Sequence, residues 1–165
     1  MPGRPLIALR PATDADVDDF LAIVTSEGVR EWWGDVSDEE KLRGDLLDDE
    51  CAVFAIEVDG ATAGWLQSWA EDEPAYRYAG LDIMLAVPYQ GRGIGPEALR
   101  QAIRLLIDEH GHHRFTIDPA LSNERAIRAY EAVGFQRVGV LRRYWRDANG
   151  EWQDGLLMDL LAEEL

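Results

Sequence analysis

The sequence predicts one mixed α/β (α+β) domain, with antiparallel strands early in the chain and helix–strand alternation later. Three observations carry this reading. Two β-rich runs, residues 52–58 and 61–69, are joined by Asp59-Gly60, a strong hairpin signal. A glycine-rich turn at residues 90–95 separates a strand-like run from an amphipathic helical stretch. A second hairpin, turned by Asn149-Gly150, closes the chain. The 165 residues, 47 % of them hydrophobic, are expected to form a single domain over 1–165 with a substantial core.

The elements follow in order. Leu6, Ile7, Ala8 and Leu9 read as a first strand, and Asp14 is expected to cap a helix carrying Val17, Phe20, Leu21 and Val24 on one face. Helical stretches are expected over 29–33 and 39–47, the latter with Leu42 and Leu46 one turn apart. Residues 78–86 alternate, placing Leu81, Ile83 and Leu85 on one face and Asp82 and Met84 on the other. Pro96 suits the first position of a helix running to about residue 109, buried through Leu99, Ala102, Ile103 and Leu106. A short strand over 114–118 precedes a helix over 123–133, which Gly134 stops. Residues 138–146 and 151–160 form the closing hairpin.

Composition excludes several classes. No apolar run is long enough to span a bilayer, so no membrane partner is expected. The N-terminal run, Met1 to Pro5, lacks the apolar segment of a signal peptide. With Cys51 the lone cysteine, no internal disulfide is possible and a reducing cytoplasm fits best. A formal charge of −16 argues against nucleic acid, which needs a basic patch, and favours a cationic partner. It also serves solubility alone. The charges are segregated: residues 35–50 hold eight acids, whereas Arg92, Arg100, Arg104, Arg114, Arg125 and Arg128 gather later.

The run Gln90-Gly91-Arg92-Gly93-Ile94-Gly95 carries the clearest chemistry. Glycines between a strand and a helix let the backbone approach a ligand closely, and the free N–H groups of the helix start bind anions. Arg92 adds positive charge, and pyrophosphate is a natural guest. No Gly-Lys-Ser/Thr follows, which excludes a Walker loop, and the preceding antiparallel run disfavours a Rossmann loop.

Gln90-x-x-Gly93-x-Gly95 resembles the pyrophosphate-binding signature of the GNAT superfamily. Residues 122–135, Ser-Asn-Glu-Arg-Ala-Ile-Arg-Ala-Tyr-Glu-Ala-Val-Gly-Phe, resemble the second half of the same site. The resemblance covers nearly the whole chain. It implies a central mixed, mostly antiparallel sheet, splayed between strands 4 and 5, with helices on both faces. It also implies acetyl-CoA as co-substrate. Glu31-Trp32-Trp33-Gly34, residues 64–69, Leu81-Asp82-Ile83 and Thr116-Ile117-Asp118-Pro119 are similar to aminoglycoside 6′-N-acetyltransferases. Residues 141–165 also resemble acetyltransferases of protein N-termini.

Direct acetyl transfer needs a neutral amine, a polarised thioester, a base, and an acid for the leaving thiolate. A free alkylamine, with a pKa of roughly 10.4, arrives protonated, so a base or water path must remove a proton after docking. By resemblance Asp118 anchors acceptor amines, and Asp82 anchors or accepts a proton, directly or through water. Tyr130 protonates the thiolate, although an aromatic on that helical stripe also suits a core. Asn123 either holds the pantetheine arm or caps the helix. Backbone N–H at Met84 or Leu85, freed by a β-bulge in family members, is expected to receive the thioester carbonyl. Trp33, Gln67 and Trp69 are candidates for lining the acceptor cleft, with structural roles equally open. His110, His112 and His113 straddle Gly111 at a helix end, where histidine suits the dipole, and no metal is expected.

The reading that results is acetylation of an aminoglycoside amine, the 6′-amine foremost, in a ternary complex. The alternatives are a protein N-terminal acetyltransferase on the same scaffold and a non-catalytic acyl-CoA-binding module. A monomer or homodimer is compatible with either enzyme.

Overall fold

The computed structural model describes residues 3–165; Met1 and Pro2, the start of the run read as lacking a signal peptide, lie outside the described residues. Among those described, seven strands form one sheet: β1 (Ile7–Pro11), β2 (Ala52–Val58), β3 (Ala61–Glu71), β4 (Tyr78–Leu85), β5 (Arg114–Ile117), β6 (Gln136–Arg146) and β7 (Trp152–Leu161). Their spatial order is β1-β2-β3-β4-β5-β7-β6, antiparallel throughout except for the parallel pair β4–β5.

That parallel contact is short. Its ladder consists of Ala79↔Phe115 and Gly80↔Thr116, after which the strands part. The sheet is therefore splayed between β4 and β5, and Asp82 and Asp118 each stand two residues beyond the last pair.

Two apolar layers hold the sheet. Helices α1 (Val17–Val24) and α2 (Glu39–Leu46) cover one face, packing on Ala55, Trp65 and Met84. The indole of Trp65, buried there, donates to the Leu46 carbonyl (2.9 Å), so a large aromatic is buried without an orphaned donor. Helices α3 (Ile94–His110) and α4 (Glu124–Val133) cover the other face through Leu99, Ile103, Ile127 and Val133. The alternation of β4 links both layers: Leu81 is fully buried under α3, and Met84 under α1.

Several expected boundaries move. Asp14 does not cap α1; it lies in a 3₁₀ turn, Asp14–Asp16, with Thr13 as its cap. The reason is Asp16, whose buried carboxylate accepts the Thr13 N–H (2.8 Å) and two Arg10 donors (2.6 and 2.8 Å). Residues 30–32 make a single 3₁₀ turn rather than a longer helix. α3 begins at Ile94, so Pro96 is its third residue, not its first. Gly93 at φ 75° caps it in the left-handed region, which a residue with a side chain rarely occupies. Proline is still tolerated, because a first-turn N–H has no intrahelical partner to lose.

Candidate active site

A cleft of about 1080 Å³ runs along the splay between β4 and β5. It is larger than a site for one drug-sized ligand needs, roughly 300–1,000 Å³, and leaves room for two reactants.

At one end the chain presents a cradle for an anion. Gly91 and Gly93 take positive φ (69° and 75°), and the loop turns directly into α3, whose first N–H groups, at Ile94 and Gly95, lack intrahelical partners. Gly91, Gly93 and Gly95 line the cleft. From α4, the Arg125 guanidinium reaches to 3.4 Å from where a Cβ on Gly91 would stand, bringing a cation to the loop that the sequence reading left unassigned. Gln90 also lines the cleft, and its amide donates to the Leu85 carbonyl (2.9 Å), tying the loop to the end of β4. Two residues of the motif are placed otherwise. The Ile94 side chain is fully buried in the core, leaving only its backbone for a ligand. Arg92 folds back to the Pro88 carbonyl (3.3 Å) and the Tyr89 ring, away from the cleft wall.

The middle of the cleft is the open edge of β4. Ala86 N–H bonds to Ala63, so by alternation the N–H groups of Ile83 and Leu85 face away from β3, into the splay. The bulge expected at Met84 or Leu85 is absent: the β3–β4 register runs without interruption from Glu71↔Tyr78 to Gly64↔Leu85. The register shift lies one strand away, at Ile56/Glu57 between β2 and β3. No bulge is required, because the departure of β5 already frees that edge. Met84 and Leu85 both line the cleft.

At the other end stand the carboxylates. Asp82 lines the cleft with no hydrogen-bond donor among the described residues, and burial together with the nearby Asp118 charge pushes its pKa up to about 7. Asp118 is also raised by burial, but Tyr144 from β6 donates to its Oδ2 at 2.5 Å and opposes the shift. Two carboxylates that share a cavity thus differ in environment, as an acid–base pair requires. Tyr130 of α4, 9 % exposed and edge-on to Phe135, lines the same cleft. Burial, then the charges of Asp82 and Asp118, raise its pKa, so the hydroxyl keeps its proton.

Of the two readings of Asn123, the helix cap is the one seen directly. Its Oδ1 caps α4 by accepting the Ala126 N–H (3.2 Å), and the residue also lines the cleft. Trp33 lines the cleft and stacks edge-on against Trp65 (5.4 Å). Gln67 and Trp69 do not line it. The Gln67 amide turns to the Cys51 thiol, and the Trp69 ring lies flat over Gly80, where there is no side chain to displace it. Tyr144, Trp145 and Arg146 form a wall that sequence reasoning missed. Among the described residues, no three His, Cys, Asp or Glu gather as a metal site, and no helix is long and apolar enough to cross a membrane. His112 is buried against Phe115 instead.

A helix start with free N–H groups, an open strand edge and a protonated phenol, sharing one cleft in a split sheet, fit the pyrophosphate, pantetheine and thioester of an acyl-CoA. The class so defined is an acyl-CoA-dependent transferase. The chain belongs to the GNAT acetyltransferases: the acetyltransferase (GNAT) domain family matches residues 7–136, and acetyl-CoA is the co-substrate. Among relatives, aminoglycoside N(6′)-acetyltransferase type 1 of Klebsiella pneumoniae is 29 % identical over 154 residues, covering 82 % of this chain and 76 % of that protein. Among solved structures, aminoglycoside acetyltransferase AAC(6′)-Ib in complex with coenzyme A and kanamycin superposes with a TM-score of 0.80 at 22 % identity, covering 96 % of both chains. Mycobacterium smegmatis RimJ in complex with CoA-disulfide gives 0.83 at 24 % identity, covering 96 % of this chain and 83 % of that one.

Proposed function

We propose that this acetyltransferase acetylates an amine of an aminoglycoside, the 6′-amine foremost, by direct transfer in a ternary complex. The observation that carries the reading is that Asp82 and Asp118, each two residues past the last β4–β5 pair, line one cleft together with Tyr130. A polycationic acceptor suits two half-buried carboxylates and a chain of charge −16. The kinship with the Klebsiella enzyme points the same way.

Acetyl-CoA supplies an acetyl thioester and a thiolate leaving group. Asp118 holds the incoming ammonium, and Asp82, with a pKa of about 7, takes its proton, directly or through water. The neutral amine then attacks the carbonyl carbon. The N–H groups on the open edge of β4 at Ile83 and Leu85 receive the developing oxyanion. As the N–C bond forms and the C–S bond breaks, Tyr130 gives its proton to sulfur and regains one as the adduct nitrogen sheds its second proton, and Asp82 releases its own proton to solvent. Gln90, Gly91, Gly93, Gly95 and Asn123 hold the donor, with Arg125 beside the loop. Trp33 contributes an aromatic face to the acceptor side.

The test is release of free CoA from acetyl-CoA with kanamycin, spermidine and a short N-terminal peptide as separate acceptors. The proposal expects saturable release with kanamycin that Asp118→Ala weakens mainly through the acceptor KM. Release with the peptide alone would replace it by N-terminal acetylation. Tight acetyl-CoA binding with no release from any acceptor would mean that the donor half is read correctly and the acceptor half is not.

A further inference from the structure

We infer that Tyr144 is a positioning residue that commits Asp118 to the anchoring role and thereby leaves Asp82 as the carboxylate that takes the proton. The inference rests on the acceptor reading above and adds to it a residue from the far hairpin.

The geometry behind it is specific. Between Leu141↔Gly155 and Trp145↔Gln153, β6 advances four residues while β7 advances two. The two extra residues bulge out of the ladder, and within the bulge Arg143 takes a positive φ of 50°. Asp154 holds that conformation: its Oδ1 accepts the Arg143 N–H at 2.7 Å, and its carbonyl accepts the Trp145 indole at 3.3 Å. The result turns Tyr144 inward over Gly155, where a Cβ would stand 2.7 Å from the ring. Gly155 is thus the floor that lets the ring lie down.

The same stretch of β7, extended to Leu156, holds the partner carboxylate. Leu156 N–H bonds to the Pro119 carbonyl (2.8 Å), Leu121 N–H to the Asp154 carbonyl (2.9 Å), and Ala120 bridges Gly155. Donor and acceptor are therefore both pinned to residues 154–156, which explains a phenol–carboxylate contact of 2.5 Å at the open mouth of a cleft. Asp82 on β4 has no such donor among the described residues.

A hydrogen bond given to the charged form favours that form, so Tyr144 opposes the effect of burial, which raises the Asp118 pKa. Asp82 from β4 and Tyr130 from α4 share the cavity, with Glu31, Glu124, Arg125, Arg128 and Arg146 as further charges on its wall. One oxygen of Asp118 is committed to the phenol. The carboxylate is then fixed in orientation, as an anchor for an ammonium requires.

Two readouts on Tyr144→Phe test this. In the free protein, ¹³C-carboxyl titration should show Asp118, identified by its loss in Asp118→Asn, titrating at higher pH in Tyr144→Phe than in the wild type. In turnover with kanamycin, the acceptor KM should rise about tenfold, the value of a lost hydrogen bond to a charged group, with the KM for acetyl-CoA unchanged. Gly155→Ala, which displaces the ring while keeping the phenol, should reproduce both effects. An unchanged Asp118 midpoint in Tyr144→Phe overturns the inference whatever the activity. If the wild type turns over no amine but the Asp118 midpoint moves, the acceptor reading falls and the Tyr144–Asp118 coupling stands.

Discussion

Replacing Asp82 by asparagine should stabilise the protein while disabling it. Asp82 is partly buried, has no donor among the described residues, and is raised from an ordinary 3.8 to about 7. A carboxyl that binds its proton more tightly when folded costs nothing where both states are protonated, below about pH 4. The cost accumulates as pH rises toward the folded pKa, because the unfolded chain is already ionised, and it is constant above that. At about 1.36 kcal/mol per pH unit, the full interval amounts to ~4 kcal/mol. Water on the cleft side screens part of this, and about 2 kcal/mol is the working figure. For a chain of this size that is a rise of about 4–8 °C in Tm. Asparagine keeps the shape and removes the charge. Thermal unfolding of wild type and Asp82→Asn across pH 4–8 checks it, the difference between the two isolating this group from the other acids. The gap should open as pH rises and level off past neutrality. A gap that is independent of pH, or a less stable variant at pH 8, would refute the reasoning.

Other expectations are simpler. Tyr130→Phe should lower kcat about 10²-fold through loss of the general acid, with the KM for acetyl-CoA little changed in steady-state assays. Asp16 is pulled down to about 2, chiefly by the Arg10 hydrogen bond, so its contribution is present above pH 4 and lost as pH falls through about 2. Because Arg10 is partly exposed, Asp16→Asn should cost about 1 kcal/mol at neutrality by urea unfolding, with a smaller difference in acid. Gly80→Ala should displace the Trp69 ring, whose Cε2 lies 2.1 Å from the new Cβ, at about 1–3 kcal/mol. Because Gly80 is in the last β4–β5 pair, the same change should also lower turnover; tryptophan fluorescence and CoA release read the two effects.

The elements legible in the sequence were those whose information is local. Asp59-Gly60 marked a hairpin, and the alternation of β4 separated Asp82 from Leu81 and Ile83. Gly134 stopped α4, and the glycine loop marked the turn into α3. The start of α3 was misplaced because Pro96 looks like a first position, whereas Gly93 in the left-handed region lets the helix begin earlier. Arg92 looked like a ligand because charge in a loop is visible in a sequence; its turn toward Pro88 is not, and neither is the approach of Arg125 from another helix. Tyr144 was missed for a related reason. Its direction depends on two residues looped out of β6, set by Arg143, Asp154 and Gly155 acting across the hairpin. The excess of residues between the Asn149-Gly150 turn and the strand partner of Gly155 was the available signal. Gln67 and Trp69 were candidates through the resemblance of residues 64–69; Trp69 instead lies over its cross-strand partner Gly80, a placement no local pattern shows.

The most direct test of the central claim is the structure of the product. Kanamycin and acetyl-CoA, incubated with the enzyme, should give one acetyl group per CoA released, carried on the 6′ nitrogen by NMR. Acetyl on another nitrogen would contradict the regiochemistry. CoA release without acetylated kanamycin would contradict the account of the acceptor site.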